Sequence, residues 1–185
     1  MSVFPKHAKK VFQGYIFSTW QWDQKLYDGS VAVFEGINRP DASQAVGVLG
    51  ADTIILVEDE QPHRNTVLTP AGGVVEENET PEQAVIREFA EETGYTPGKL
   101  TPWFSYAPYS KMAAITHLFI AKDLGNQAEA KLDAGERITV REYTFEDFLE
   151  LGHDPKLRDI EMRIRLLETK IDSSKRKELY DLLFS

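Results

Sequence analysis

The chain has 185 residues, 42% hydrophobic and 28% charged, proportions of one globular domain of ordinary size with some additions. It has no cysteine, which excludes disulfides, thiolate nucleophiles and cysteine zinc sites. A net charge of -9 argues against nucleic acid as a partner, since that binding rests on Lys and Arg neutralising phosphates, and it repels anionic small substrates unless divalent cations screen them.

Residues 1–10 are basic, without the apolar run of a signal peptide, and read as a mobile lead-in. No stretch has the length and apolarity of a membrane span, so the expected location is the cytoplasm, with no membrane partner. From Val11 to Ile37 the pattern is strand-like, with Ile16, Ser18, Trp20, Trp22, Gln24 and Leu26 on one parity. Asp28-Gly29 predicts a tight hairpin in which both turn residues take positive φ. Arg39-Pro40-Asp41 ends this β-meander, which spans residues 11–40. Gln44–Leu49 and Thr53–Val57 read as short apolar strands, Glu58–Asn65 as a polar loop, and Thr66–Leu68 as a resumed strand before Pro70.

The clearest helix is Pro81–Thr93: Thr80 is suited to the N-cap, Gln83 completes a capping box, and Gly94 stops it. Further strands are expected at Leu100–Tyr106, Ala114–Ala121 and Ile138–Tyr143. Helices are expected at Phe145–Leu151, Leu157–Lys170 and Ser174–Phe184. This mixture predicts an α/β or α+β sandwich.

The chemistry concentrates in Ala71-Gly72-Gly73 and the helix that follows. At about 100° per residue, Val85, Ile86, Phe89 and Ala90 are expected to share the core arc, with Glu88, Glu91 and Glu92 on an opposing one. Like charges three and four residues apart weaken a helix, as does negative charge near its C-terminus. Such a concentration of carboxylates points to a bound cation or to an open solvated face. Oxygen donors suit Mg²⁺ or Mn²⁺. A free carbonyl near Ala71 would add a neutral ligand, and Arg87 is suited to fixing a carboxylate by a paired hydrogen bond.

The positions Gly73, Glu79, Arg87, Glu88, Glu91, Glu92 and Gly94, with Phe89 and Tyr95 between and after them, resemble the Nudix box, G-x5-E-x7-R-E-U-x-E-E-x-G-U, without departure at any fixed position. The resemblance implies an α/β/α sandwich with a mixed sheet, preceded by an N-terminal antiparallel β-sheet subdomain. Residues 41–151 would form the catalytic core, and residues 152–185 would be C-terminal helices packed on it or across a dimer. It further implies an enzyme that binds Mg²⁺, with Mn²⁺ as substitute, through Glu88, Glu92, Glu91 and the Ala71 carbonyl. Gly73, Glu79 and Arg87 would support them.

The long N-terminal strands with Leu26-Tyr27-Asp28-Gly29 resemble the ADP-ribose and nucleoside-diphosphate-sugar pyrophosphatases. In that group the N-terminal sheet is exchanged within a homodimer and contributes to the partner's base pocket. Tyr27 is then the candidate for stacking on the base, with Trp20 or Trp22 as rivals; packing is the competing role for both tryptophans. Gln61 and Arg64 resemble a segment carrying a substrate-contacting basic residue. Arg64 is suited to a phosphate or is a solvated loop arginine, and Arg39 is a weaker candidate of the same kind. Pro108 lies thirteen positions past Tyr95, slightly short of its place in the ADP-ribose type, and no Gly-rich loop follows it. The general base in this group comes from a late acidic loop. Glu136 is the choice and Asp133 the alternative, with Glu88 and Glu91 completing the catalytic set. The expected reaction is hydrolysis of a nucleotide sugar at its diphosphate. Rival readings are another nucleotide substrate, a non-catalytic sensor, or a scaffold acting through the C-terminal helices.

Overall fold

The computed structural model describes residues 4–125, 127–132 and 134–185. Asp133, the alternative base, and Met1–Val3 of the lead-in lie outside them. Two sheets are present among the described residues. The smaller contains β1 (Lys9–Gln13), β2 (Ser18–Lys25), β3 (Val31–Asn38) and the short β9 (Met112–Ala113), in the order β1-β2-β3-β9. The larger contains β4 (Ala42–Leu49), β5 (Thr53–Gln61), β6 (Arg64–Thr69), β7 (Ala71–Val74), β8 (Lys99–Tyr106), β10 (Thr116–Lys122) and β11 (Arg137–Tyr143). Its path runs β11-β5-β4-β10-β8, with β6 on β5 and β7 on β4. The sheet is mixed, because β10 is parallel to β4 and antiparallel to β8.

Strand alternation sends successive side chains to opposite faces. Ile55 and Val57 of β5, Ala45 of β4 and Phe119 of β10 pack with Val85 and Phe89 of α1 (Pro81–Thr93). Ile54, Leu56, Val46 and Ile120 pack the other way, against α2 (Phe145–Glu150), α3 (Ile160–Ile171) and α4 (Ser173–Phe184). The result is an α/β/α sandwich, and burying a side chain such as Phe89 contributes roughly 1.5–3 kcal/mol. A Cβ on Gly47 would lie 2.7 Å from Cζ of Phe89, so the bare backbone there lets α1 sit close to the sheet. No described helix is long and apolar enough to cross a membrane.

Three expectations are corrected. The segment 58–65 is not a loop: β5 continues to Gln61 and β6 begins at Arg64. Its charges are matched within the sheet, Glu58 to Arg141 at 2.8 Å, Glu60 to Arg137 at 3.3 Å, and Asp59 to Arg64, so a polar run persists as strand. At the β2–β3 hairpin only Gly29 is left-handed (φ 87°). Asp28 accepts hydrogen bonds from the Ser30 N–H (3.0 Å) and hydroxyl (2.6 Å), and the loop closes from the Leu26 N–H to the Ser30 carbonyl at 2.8 Å. Within the segment read as a lead-in, β1 begins at Lys9, and Phe4 is buried against Trp20 and Trp22, at centroid distances of 6.0 and 5.8 Å.

Candidate active site

The helix that carries the acids is fixed at both ends. Thr80 accepts from the Gln83 N–H at 3.2 Å, and Gln83 Oε1 accepts from the Thr80 N–H at 2.8 Å. Gly94, left-handed at φ 76°, donates to the Ala90 carbonyl at 2.9 Å. The buried face of α1 comprises Ala84, Val85, Phe89 and Thr93, whereas Ile86 is exposed. With this arc, about 100° per residue places Glu92 and Glu88 between Ala84 and Val85. Two of the three glutamates therefore point towards the sheet rather than away from it, which corrects the expected opposing arc. Glu91 lies farther round and is the most exposed of the Arg87-linked acids, with 44% of its side chain accessible.

Arg87 organises the neighbouring acids. Its Nε and Nη2 donate to the two oxygens of Glu79, both at 3.0 Å. Nη1 donates to Glu88 at 2.8 Å and Glu91 at 3.3 Å, and Nη2 also reaches the Val74 carbonyl at 3.2 Å. All five guanidinium N–H groups thus have acceptors. The Arg87 hydrogen bond holds the Glu79 carboxyl below the ordinary range, and the same acids raise the Arg87 pKa above its usual value.

The glycine pair brings backbone against these carboxylates. Gly72 has φ 144°, and a Cβ there would meet the Ser43 carbonyl oxygen at 2.2 Å. Its N–H donates to Glu92 Oε2 at 2.9 Å. A Cβ on Gly73 would lie 2.5 Å from Glu88 Oε1. Ala71 is buried in β7, opposite Ala45 of β4.

Glu92 has its pKa pushed up to about 8, chiefly by burial, with the Gly72 N–H acting in the opposite sense and Glu88, Glu136 and Asp59 adding negative charge. Glu136, from the late loop, thus joins the α1 acids electrostatically. Asp59 was missed by the sequence reading. It is 7% exposed, bonded to Arg64 through Oδ2, and its Oδ1 is buried without a hydrogen-bond partner. The missing signal was strand parity: Ile55, Val57 and Asp59 alternate along β5 on the face that meets α1. Arg64 is engaged by Asp59 through Nη2, while its Nη1 is buried without a partner.

Among the described residues no group of three acids or histidines stands at metal-holding separations. Glu88 and Glu91 are turned to Arg87, and Glu92 to the Gly72 N–H. The donor set nevertheless suits a hard divalent ion in kind and charge: oxygen only, net negative, and partly withdrawn from water.

The aromatic and basic candidates of the N-terminal half are dispersed. Tyr27 is fully exposed at the hairpin tip. Trp22 is half-buried against Phe4 and Phe34 and donates to Gln24 at 3.2 Å. Arg39 donates to the Pro40 carbonyl at 3.2 Å. Pro108 lies in the connection between β8 and β9. A surface hollow of about 380 Å³ is bordered by Ile37 of β3 and by Tyr109, Lys111 and Met112, of which the sequence reading singled out none.

Comparison with known proteins matches the NUDIX domain over residues 39–163. The chain is 31% identical over 154 residues to an ADP-ribose pyrophosphatase of Bacillus subtilis (strain 168), covering 82% of this chain and 83% of that protein. It is 26% identical over 155 residues to a methanol dehydrogenase activator of Bacillus methanolicus, covering 82% and 84%. A crystal structure of an ADP compounds hydrolase shares the fold with a TM-score of 0.72 at 20% identity, covering 91% of this chain and 94% of that one. The NUDIX match takes in Asp59, Glu79, Glu88, Glu91, Glu92 and Glu136, and it places this chain in the NUDIX family of hydrolases.

Proposed function

We propose that the chain is a Mg²⁺-dependent pyrophosphohydrolase that splits the diphosphate of a nucleoside diphosphate sugar such as ADP-ribose into a nucleoside monophosphate and a sugar phosphate. The observation that carries this reading is the acid cluster around Glu92, backed by the Gly72-Gly73 turn and the fork of Arg87. NUDIX hydrolases generally use divalent metal ions. The ADP-ribose pyrophosphatase relative supports the substrate class. The early Pro108 and the missing Gly-rich loop favour a broader nucleoside-diphosphate-sugar range over strict ADP-ribose selectivity.

Glu88, Glu92, Glu91 and the Ala71 carbonyl would hold the ions, Mg²⁺ or Mn²⁺, and Glu79, Arg87 and Gly73 would set their geometry. Ions held there would supply charge neutralisation of the diphosphate and activation of water. Glu136 accepts a proton from the attacking water as its oxygen bonds to one phosphorus in line with the departing bridge oxygen, which leaves on the other phosphate. Arg64, held beside Asp59, is the candidate for a phosphate oxygen, with Arg39 as a second candidate. Tyr27 and Trp22 are the base-stacking candidates.

The exposed apolar residues of the small sheet, including Val11, Phe12, Val31 and Val33, support a homodimer that covers this face and shares the N-terminal sheet between subunits. In this reading the enzyme is cytoplasmic, acts on a small molecule, and has neither nucleic acid nor membrane as partner.

Incubation with ADP-ribose, GDP-mannose, UDP-glucose and dGTP, with and without Mg²⁺, tests the reading by product identification. A nucleoside monophosphate and a sugar phosphate are expected only with metal. Turnover confined to dGTP, or undiminished in excess chelator, would overturn it.

A further inference from the structure

Gln61 closes β5 beside two carboxylates. Its Nε2 donates to Glu136 Oε1 at 3.1 Å and lies 3.4 Å from Asp59 Oδ2. Both acceptors are carboxylate oxygens, so only the nitrogen end of the amide suits this position, with one N–H for each. The placement follows from the sheet. The β11–β5 pairing sets Arg137 opposite Glu60, and one step outward brings Glu136 beside Gln61. Glu136 shares the parity of Ile138 and Val140, which pack on the α1 side. Asp59, nine-tenths buried and gripped by Arg64, anchors the other end.

We propose that Gln61 is a positioning residue: its amide ties the loop-borne Glu136 to the strand-borne, buried Asp59 and aims the carboxylate that accepts the proton. The inference rests on the proposed role of Glu136. Without the amide, Glu136 and Asp59 lose the donor they share, and Glu136 loses the hydrogen bond that ties it to β5.

The test is a double-mutant cycle on the full chain with Gln61→Leu and Glu136→Gln, using whichever nucleotide sugar the substrate panel identifies. Gln61→Leu should lower kcat by roughly 10–100-fold, as loss of an orienting partner does, with KM within about twofold. In the Glu136→Gln background the same change should have no further effect, which a merely structural residue would not achieve. Gln61→Met, nearly isosteric, repeats the test should the leucine variant fold poorly. Full kcat in Gln61→Leu alongside a crippled Glu136→Gln, or losses that multiply in the double variant, would overturn the inference alone. Full turnover by Glu136→Gln would remove the base assignment and the inference together.

Discussion

Arg87 and Glu79 meet as a two-pronged fork, Nε to one carboxylate oxygen and Nη2 to the other, each at 3.0 Å. The fork matters because the remaining Arg87 donors hold Glu88 and Glu91, and Glu79 is itself pinned by the Glu76 N–H at 3.1 Å. Lysine keeps the charge but loses the planar geometry. Arg87→Lys should therefore lower kcat by roughly 10–100-fold while thermal unfolding shifts by only a few degrees. Steady-state kinetics beside a melting curve would check this; unchanged kcat would mean that the fork does not set the acids.

Gly73→Ala should act on the same acids through space. The new methyl would occupy the position 2.5 Å from Glu88 Oε1, and a flexible side chain yields before backbone does. Glu88 should be displaced, with turnover down at least tenfold and saturating Mg²⁺ concentration raised. Gly72→Ala should be worse, since its methyl would meet the Ser43 carbonyl, which cannot swing away, and loss of stability is expected as well. Metal titrations and melting of both variants separate the two cases.

Glu92 gives the metal-free protein a pH-dependent stability of definite sign. Its carboxyl is raised from 4.5 to about 8, so between those values the folded chain binds more protons than the unfolded one. Stability from this group is complete below pH 4.5 and is lost as pH rises through about 8. At about 1.36 kcal/mol per pKa unit and roughly 2–4 °C per kcal/mol, the metal-free Tm should fall by several degrees from pH 6 to pH 9 relative to Glu92→Gln. Mg²⁺ stabilises the ionised form, so its effect on Tm should grow over the same window. The variant should also lose Mg²⁺-supported turnover. Parallel Tm profiles of the two proteins would refute the assignment.

Tyr27 stands fully exposed at the end of the β2–β3 hairpin. Stacking on a base is worth about 1–3 kcal/mol, so Tyr27→Ala should lower kcat/KM by roughly 5–150-fold, mostly through KM, with Tm unchanged. Val33→Glu, on the exposed face of β3, should convert a dimer into monomers by light scattering. If Tyr27 serves across that dimer, the Val33 variant should show the same KM defect.

The α1 region was legible because each signal is local. Thr80, Gln83 and Gly94 fix the helix ends, and the fixed spacing of Gly73, Glu79, Arg87 and the glutamates specifies the site's chemistry. The inward turn of Glu92 was hidden because a carboxylate was assumed to avoid the core arc, and only the packed sheet shows Ala84 and Thr93 widening that arc around it. Residues 58–65 resemble a loop in the sequence for a related reason: charge is ordinarily a loop signal, whereas the partners Arg137 and Arg141 come from a strand distant in sequence, at separations of 77 and 83. Asp59 is hidden with that strand, and the link from Gln61 to Glu136 is visible only once β5 and β11 are paired.

The far end of α1 is also tethered. Ala128 donates to the Gly94 carbonyl at 2.9 Å, Lys131 to the Glu91 carbonyl at 2.8 Å, and the Gln127 side chain to the Thr93 carbonyl at 3.1 Å. Helix carbonyls that would otherwise face water are claimed by the segment leading to Glu136. The α1 acids proposed as metal ligands and the loop that carries Glu136, the proposed proton acceptor, are thereby coupled through the end of one helix, and unravelling its last turn should disturb both. The amides of Ala128 and Lys131 should exchange slowly for loop positions, and their protection would report whether this segment stays docked on the end of α1.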